Sequence, residues 1–159
     1  MTRRIVSLLL AAAIAAGCAG PNKLAEKSQK ELTEGDVWNA WRLATRALDR
    51  EPMNPRAKAA AAAAAEVISA DWQRKIRGLA SVDSLRAAEQ VLAFAEFRSN
   101  AVNYTTIEVP ASWAAEERTL RGSAARHFYA QGKAAKAARR PKSAFASFHE
   151  CGRYVPGYR

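Results

Sequence analysis

The side chains that most often do chemistry in proteins are few in this chain, and their spacing argues against a shared site. The two histidines are His127 and His149, and the second lies two residues before Cys151. Histidine and cysteine both bind zinc, but residues two apart on a helix point about 200° apart and cannot hold one ion. Glu116 and Glu117 are adjacent and diverge on a helix, so they do not form a catalytic dyad.

No enzyme or cofactor motif takes their place. The sequence contains no Gly-rich phosphate loop, nucleophile elbow or histidine–glutamate zinc motif. We therefore expect a non-catalytic protein with no metal and no cofactor. Cys151 is expected to be a small buried core residue, and the alternative is a reactive thiol.

Positive charge is the strongest chemical feature of the sequence. The formal net charge is +10, and the stretch 118–159 contains ten basic residues against one acid, Glu150. On a helix, residues seven apart are nearly eclipsed and drift by about 20°. Five residues share one predicted face on this basis: Arg126, Tyr129, Lys133, Lys136 and Arg140. This stripe predicts a surface for an anionic partner; the alternative is a solvated face, although solvated faces usually mix charges.

The stripe requires a helix, and the composition of the chain predicts helices. Hydrophobic residues make up 49% of the chain and alanine dominates them, whereas glycine (8) and proline (6) are scarce. Alanine is the best helix former and the smallest packing residue, so the composition predicts closely packed helices. The one non-helical stretch is expected at 100–110, as an insertion between two hairpins or as a flap over a groove.

Six helices are expected from the periodicity and the capping residues. They are 23–32, 37–50, a helix from Arg56 to a break at Gly78, a helix capped by Ser81 or Asp83, a helix capped near Ser112 and running to Arg140, and a helix from Pro141 to about Arg153. Trp38 and Trp41 lie three apart on the second helix. This spacing favours one core and one rim tryptophan, and the alternative is ligand stacking.

The basic helix belongs to a motif that resembles a known repeat. The motif reads Phe128-x2-Gln131-Gly132-x2-Ala135, then Ala144-x3-Phe148-x2-Cys151-x4-Pro156. A bulky anchor, small residues at the helix crossing and a terminal proline resemble a tetratricopeptide repeat of about 34 residues. The resemblance implies an α-solenoid of helical hairpins in which the first helix of each hairpin lines a concave groove. In several members of this family, basic groove residues bind a partner's carboxylates.

A second copy of the motif lies earlier in the chain. It reads Gly35-Asp36-x3-Ala40-x6-Ala47-Leu48-x3-Pro52-x-Asn54-Pro55-x-Ala57. Ala40 precedes Ala144 by 104 residues and Pro52 precedes Pro156 by the same number, close to three repeat periods. The best-matched units are therefore about 21–54 and 125–158, within one helical domain at 23–159.

The N-terminal stretch predicts export. Arg3 and Arg4 precede an apolar segment that is too short to span a bilayer comfortably, and Ala15-Ala16-Gly17-Cys18 follows. Small residues before a cysteine resemble a bacterial lipoprotein lipobox, which implies a signal peptide at 1–17 and lipidation of Cys18, with 18–22 as a tether. Ala19, which is not aspartate, implies sorting to the outer membrane, facing the periplasm. The alternative is a soluble exported protein.

Together these features predict a lipid-anchored scaffold or adaptor whose basic groove binds an acidic segment of an envelope protein. Roles in envelope assembly, pilus assembly or secretion fit equally well. The alternative is direct binding of anionic cell-wall polymer, lipid or lipopolysaccharide, whereas export argues against nucleic acid. Aromatic residues at the last helix (Phe145, Phe148, Tyr154 and Tyr158) either fold back or support self-association, and we expect the latter.

Overall fold

The computed structural model describes residues 20–159, and this part of the chain is helical without strands. The predicted signal peptide at 1–17, the lipidation of Cys18 and the sorting residue Ala19 lie outside the described residues. The helices of the described part are α1 (Pro21–Glu34), α2 (Val37–Arg50), α3 (Pro55–Ala80), α4 (Ser84–Ala101), α5 (Trp113–Ala137) and α6 (Pro141–Tyr154). The predicted all-α array of about six helices is confirmed.

The described chain divides into two compact units. The first unit contains the described residues up to Ile68 together with Asn103–Thr106, and the second contains Ser69–Val102 and Ile107–Arg159. Helix α3 contributes its first part to the first unit and its last part to the second. Each unit has core clusters of its own.

The first unit is organised by the hairpin of α1 and α2. Gly35 ends α1 in the left-handed conformation (φ 88°), which a glycine adopts without steric cost. Asp36 then caps α2 by accepting a hydrogen bond from the Asn39 N–H at 3.1 Å. At the crossing, the buried Ser28 hydroxyl donates to the Ala40 carbonyl at 2.7 Å. This hydrogen bond satisfies the hydroxyl and keeps the two helices close.

Asn54 connects three segments of the first unit. Its side chain is buried, accepts from the Ala57 N–H at 3.0 Å and thereby caps α3. The same amide donates to Asn22 Oδ1 and to Glu51 Oε2, both at 2.9 Å. Pro55 opens α3, one residue before the expected start at Arg56.

Aromatic contacts confirm the prediction of one core and one rim tryptophan. Trp38 is 54% exposed, whereas Trp41 packs on the core cluster of the first unit. Tyr104 covers Trp41 edge-on at a centroid distance of 5.8 Å, and its hydroxyl donates to Asp49 Oδ1 at 2.9 Å. Tyr104 therefore anchors the segment Asn103–Thr106 within the first unit.

In the second unit, the end of α3, helix α4 and the start of α5 share a core of Ile76, Val91, Phe94 and Trp113. Helix α3 passes the expected break at Gly78 and ends at Ala80. Asp83, one of the two predicted caps, accepts from the Arg86 N–H at 3.0 Å and starts α4. The Asp83 carboxylate, rather than Gly78, therefore sets where α4 begins.

The hairpin of α5 and α6 forms the other part of the second unit. A Cβ atom on Gly132 would lie only 2.5 Å from Phe148, so the ring occupies the space that the glycine leaves. The Phe128 ring stacks on Tyr154 at a centroid distance of 5.7 Å. Cys151 is buried beside them in the same cluster, which confirms its predicted core position.

The two hairpins repeat each other at a spacing of 104 residues. Helix α2 starts at 37 and ends at 50, and α6 starts at 141 and ends at 154. The interhelical turns match as well: Gly35 and Arg139 both have positive φ, at 88° and 54°. The next residues, Asp36 and Arg140, each donate a backbone hydrogen bond of 2.9 Å to the carbonyl five residues earlier. Two separate stretches of sequence thus fold into the same local geometry.

Candidate partner-binding surface

Six basic residues line the C-terminal half of α5, the following turn and the start of α6, and we term this region the α5–α6 basic surface. Its members are Arg126, Lys133, Lys136, Arg139, Arg140 and Lys142. All six side chains are exposed. The helical repeat of α5 and the tight turn to α6 bring these charges into one region of the hairpin, because only three residues separate the two helices.

No carboxylate of the described residues neutralises the charges of this surface. Among residues 20–159, none of the six has a carboxylate within 4.0 Å. Elsewhere in the second unit, by contrast, Arg77 bonds Glu116 through two hydrogen bonds of 2.8 and 3.1 Å. Unpaired cations in one region leave a positive potential that attracts an anionic partner.

The paired carboxylates near the start of α5 have a structural role. The hydrogen bonds from Arg77 and Ser112 hold the pKa of Glu116 below its ordinary value, and the same contact raises the pKa of Arg77. Glu117 lies within 3.6 Å of Arg98 and 3.1 Å of Arg121. Glu116 is thus held ionised by Arg77, and Glu117 lies between two arginines, so both side chains are engaged in ion pairs within the fold.

Tyr129 is placed differently from the other residues of the predicted stripe. It is half-buried, and its ring lies 5.6 Å from the rings of both Phe148 and Tyr158. The Lys133 ammonium lies 5.9 Å from the centroid of the same ring. Tyr129 is therefore a packing residue beneath the exposed cations: it contacts Lys133 and packs α5 against the C-terminal segment.

The turn between α5 and α6 adds two cations that the predicted stripe leaves out. Arg139 has φ 54°, a left-handed conformation that non-glycine residues rarely adopt, and Lys142 lies in the first turn of α6. That first turn contains no acidic residue and no side-chain cap. A lysine there opposes the positive end of the helix dipole, so Lys142 does not stabilise its own helix.

The other side chains that could take part in chemistry contact neighbouring residues or are buried. His127 Nε2 lies 2.8 Å from the Gln131 amide nitrogen, and the His149 ring stacks on Phe145 at 6.3 Å. Burial raises the pKa of the Cys151 thiol and, as the main cause, that of the Tyr154 hydroxyl. No group of three metal-ligating side chains occurs in the part of the chain that the structure describes.

A shallow cleft of about 330 Å³ lies where the start of α5 meets the segment after α6. Its polar lining includes Glu117 and Arg121, and the Arg121 Nε–H donates to the Tyr154 carbonyl at 2.8 Å. Arg118 also lines the cleft and has no carboxylate partner in the described chain. The remaining charges of the lining are already used internally, so the cleft offers a single cation to a ligand.

The C-terminal aromatic residues mostly fold back on the hairpin. Tyr154 is buried, Tyr158 contacts Tyr129, and Phe148 fills the space beside Gly132. Phe145 differs, since 74% of its surface is exposed. The fold-back alternative thus describes three of the four aromatic residues at this end.

Comparison with protein-family models, with curated proteins and with solved structures finds no match. The described helices include none with the length and apolar character needed to cross a bilayer.

Proposed function

We propose that this protein is a lipid-anchored, tetratricopeptide-like adaptor of the bacterial periplasm that binds an acidic segment of a partner protein through the α5–α6 basic surface. The observation that supports this proposal is the absence of carboxylate partners for six neighbouring cations in the described chain. The lipobox-like sequence ending at Cys18 supports attachment to the outer membrane through acyl chains.

The placement of Lys142 and Lys133 strengthens the argument for a ligand. Lys142 works against its own helix dipole, and Lys133 is held over a tyrosine ring rather than beside a carboxylate. Side chains arranged in this way cost stability or contribute little to it, which fits charges that serve binding. The backbone of these helices is already ordered, so binding an acidic segment costs the freedom of the cationic side chains and of the segment but no folding of the surface itself.

A crosslinking pulldown of the lipidated protein from its own cell envelope tests the proposal. The variant Lys133→Glu/Lys136→Glu removes two cations and adds two charges of the partner's own sign, so we expect partner recovery to fall about tenfold or more. The matched control is Lys23→Glu/Lys27→Glu, which makes the same change in net charge on exposed positions of α1. An unchanged partner list in the first variant, or an equal loss in the control, would refute the surface.

Salt separates a defined protein partner from an anionic polymer. Interactions of exposed charges are screened beyond about 8 Å at 0.15 M ionic strength, so polymer binding falls steeply as salt rises. A partner protein that also buries apolar area stays bound at moderate salt. Recovery of one defined protein at roughly 0.3–0.5 M salt, where the screening length is shorter still, supports the adaptor. Recovery of glycan or lipopolysaccharide instead of a protein, with loss of that material as salt rises, would favour direct polymer binding.

A further inference from the structure

The 104-residue repeat allows the exposure of α2 and α6 to be compared position by position. Four positions of α2 are buried or half-buried: Val37, Trp41, Thr45 and Leu48. The equivalent residues of α6 are all exposed: Pro141, Phe145, His149 and Gly152. At 100° per residue, these four positions form one continuous strip along the helix. The same strip is therefore covered in the first hairpin and uncovered in the second.

What covers the strip of α2 is visible in the first unit. Leu48 belongs to a core cluster that includes Ala57, Ala60 and Ala61 from the start of α3. Trp41 packs against this cluster, and Tyr104 meets its ring edge-on at 5.8 Å. An alanine-rich helix and one aromatic side chain thus complete this face of α2.

On α6 the corresponding strip has the composition of a helix-docking face. Phe145 is 74% exposed and stacks on His149, so the two rings form a raised edge. Gly152 is exposed and nothing lies within 4 Å of where its Cβ atom would be. A ring beside a residue without a side chain is a shape into which a second helix fits closely.

The charges around the strip identify the kind of occupant. Lys142 lies one turn before Phe145, and Arg139 and Arg140 precede it, whereas Glu150 already pairs with Arg153 at 2.7 Å. A second copy that met the strip with its own α6 would bring an equally basic helix, and one that met it with the outer face of α1 would bring a face on which every exposed residue is polar. Neither supplies both an apolar stripe and negative charge.

We infer that the exposed strip of α6 (Pro141, Phe145, His149 and Gly152) docks an amphipathic helix of a partner protein whose apolar stripe contains small residues and an aromatic anchor flanked by carboxylates. This strip adjoins the α5–α6 basic surface, whose members Arg139, Arg140 and Lys142 flank it, but it does not use the α5 cations Lys133 and Lys136 and does not depend on the proposed function. The chain thereby has a helix-docking face on α6 in addition to the charged face of α5.

Synthetic peptides of about 18 residues test the site, since shorter isolated helices are marginal in water. The first peptide is alanine-based, with a tyrosine and leucine stripe flanked by glutamates. Two matched peptides replace the tyrosine by alanine or the glutamates by lysines. Fluorescence anisotropy with the full chain in detergent is expected to show binding of the first peptide, and affinity at least about tenfold weaker for each of the others.

Variants of the full chain locate the peptide on the molecule. Phe145→Asp is expected to weaken binding at least about tenfold, whereas Val82→Asp, at a residue 86% exposed, changes it by less than about twofold. Phe145→Ala provides a second variant, and circular dichroism verifies the helix content of each. A photoreactive phenylalanine at position 145, but not at 82, should crosslink to the peptide.

Several results would overturn the inference. They are unchanged affinity in both Phe145 variants, equal crosslinking from position 82, or a concentration-dependent dimer that Phe145→Asp abolishes, since the occupant would then be a second copy. The variant Lys133→Glu/Lys136→Glu keeps the crosslink at position 145 if the two sites are separate. Failure of the envelope pulldown and failure of the peptide assay are therefore distinguishable.

Discussion

Replacing Gly132 by alanine tests how α5 and α6 cross. The new methyl group would lie 2.5 Å from Phe148 Cε1, 2.7 Å from Cδ1 and 2.9 Å from Cζ. Carbon atoms in ordinary contact lie about 3.5–4.0 Å apart, so the ring or the helix must move by about 1 Å. Tyr129 packs against the same ring, which limits where the ring can go. Overpacking of this kind costs about 1–3 kcal/mol.

The helix propensity of alanine acts in the opposite direction and must be subtracted. Glycine to alanine inside a helix stabilises by about 1 kcal/mol in the absence of a clash. Gly122 provides the matched control, because it lies in α5 and nothing is within 4 Å of the position that a Cβ atom would take there. We expect Gly122→Ala to stabilise the chain by about 0.5–1 kcal/mol and Gly132→Ala to be less stable than that control by about 1–3 kcal/mol.

Urea unfolding followed by circular dichroism measures both variants. A double variant, Gly132→Ala/Phe148→Leu, removes Cε1 and Cζ, two of the three close atoms, and should recover part of the loss, with a coupling free energy of about 1 kcal/mol or more. If Gly132→Ala is as stable as Gly122→Ala, the close helix crossing is wrong. If the double variant shows no coupling, the clash is not with Phe148.

Three further predictions concern ionisable groups. Burial raises the pKa of the Cys151 thiol, so its reaction with a disulfide reagent should be slow in the native protein and fast in urea; equal rates would contradict its core position. The pKa of Glu116 is lowered by Arg77, so its contribution to stability is complete above the ordinary value of 4.5 and is lost as pH falls through the lower folded value. The Glu116→Gln variant should therefore be less stable than the wild type at neutral pH and equal to it in acid, and a pH-independent difference would contradict the ion pair. The hydrogen bond to Asp49 raises the pKa of Tyr104 above 10.0, and Asp49→Asn should return it toward 10.0 in an absorbance titration while costing about 0.5–1 kcal/mol of stability.

Local signals in the sequence were sufficient to predict the helices to within a few residues at their ends. Gly35 and Asp36 lie between the expected helices 23–32 and 37–50, and in the structure they end one helix and cap the next, because a glycine terminus and a side-chain cap act over three or four residues. The break at Gly78 was wrong by two residues. A glycine only weakens a helix, whereas the Asp83 cap decides where the next one starts.

The binding surface was predictable in part. Arg126, Lys133, Lys136 and Arg140 are exposed, as expected for a stripe, but α5 ends at Ala137 rather than at Arg140, so Arg140 lies in the turn before α6 and not on the helix face. Helical spacing could not distinguish the half-buried Tyr129 from the exposed cations of the stripe. Its packing partners, Phe148 and Tyr158, come from another helix and from the segment after it. Arg139 was missed because a continuous helix to Arg140 would place it off the stripe, whereas α5 ends at Ala137; Lys142 was missed because it belongs to the next helix.

The amino-acid sequence by itself determined the all-α class, the hairpin turns and the 104-residue repeat, because hydrogen bonds and caps within helices join residues that are close in the chain. The tertiary structure alone decided which charges are paired and which apolar faces are covered. Arg77 meets Glu116 from 39 residues away and Trp41 meets Tyr104, whereas the α5–α6 cations meet no carboxylate in the described chain and Phe145 stays exposed. Those contacts depend on which helix, distant in the sequence, packs nearby, and a local sequence pattern does not indicate it.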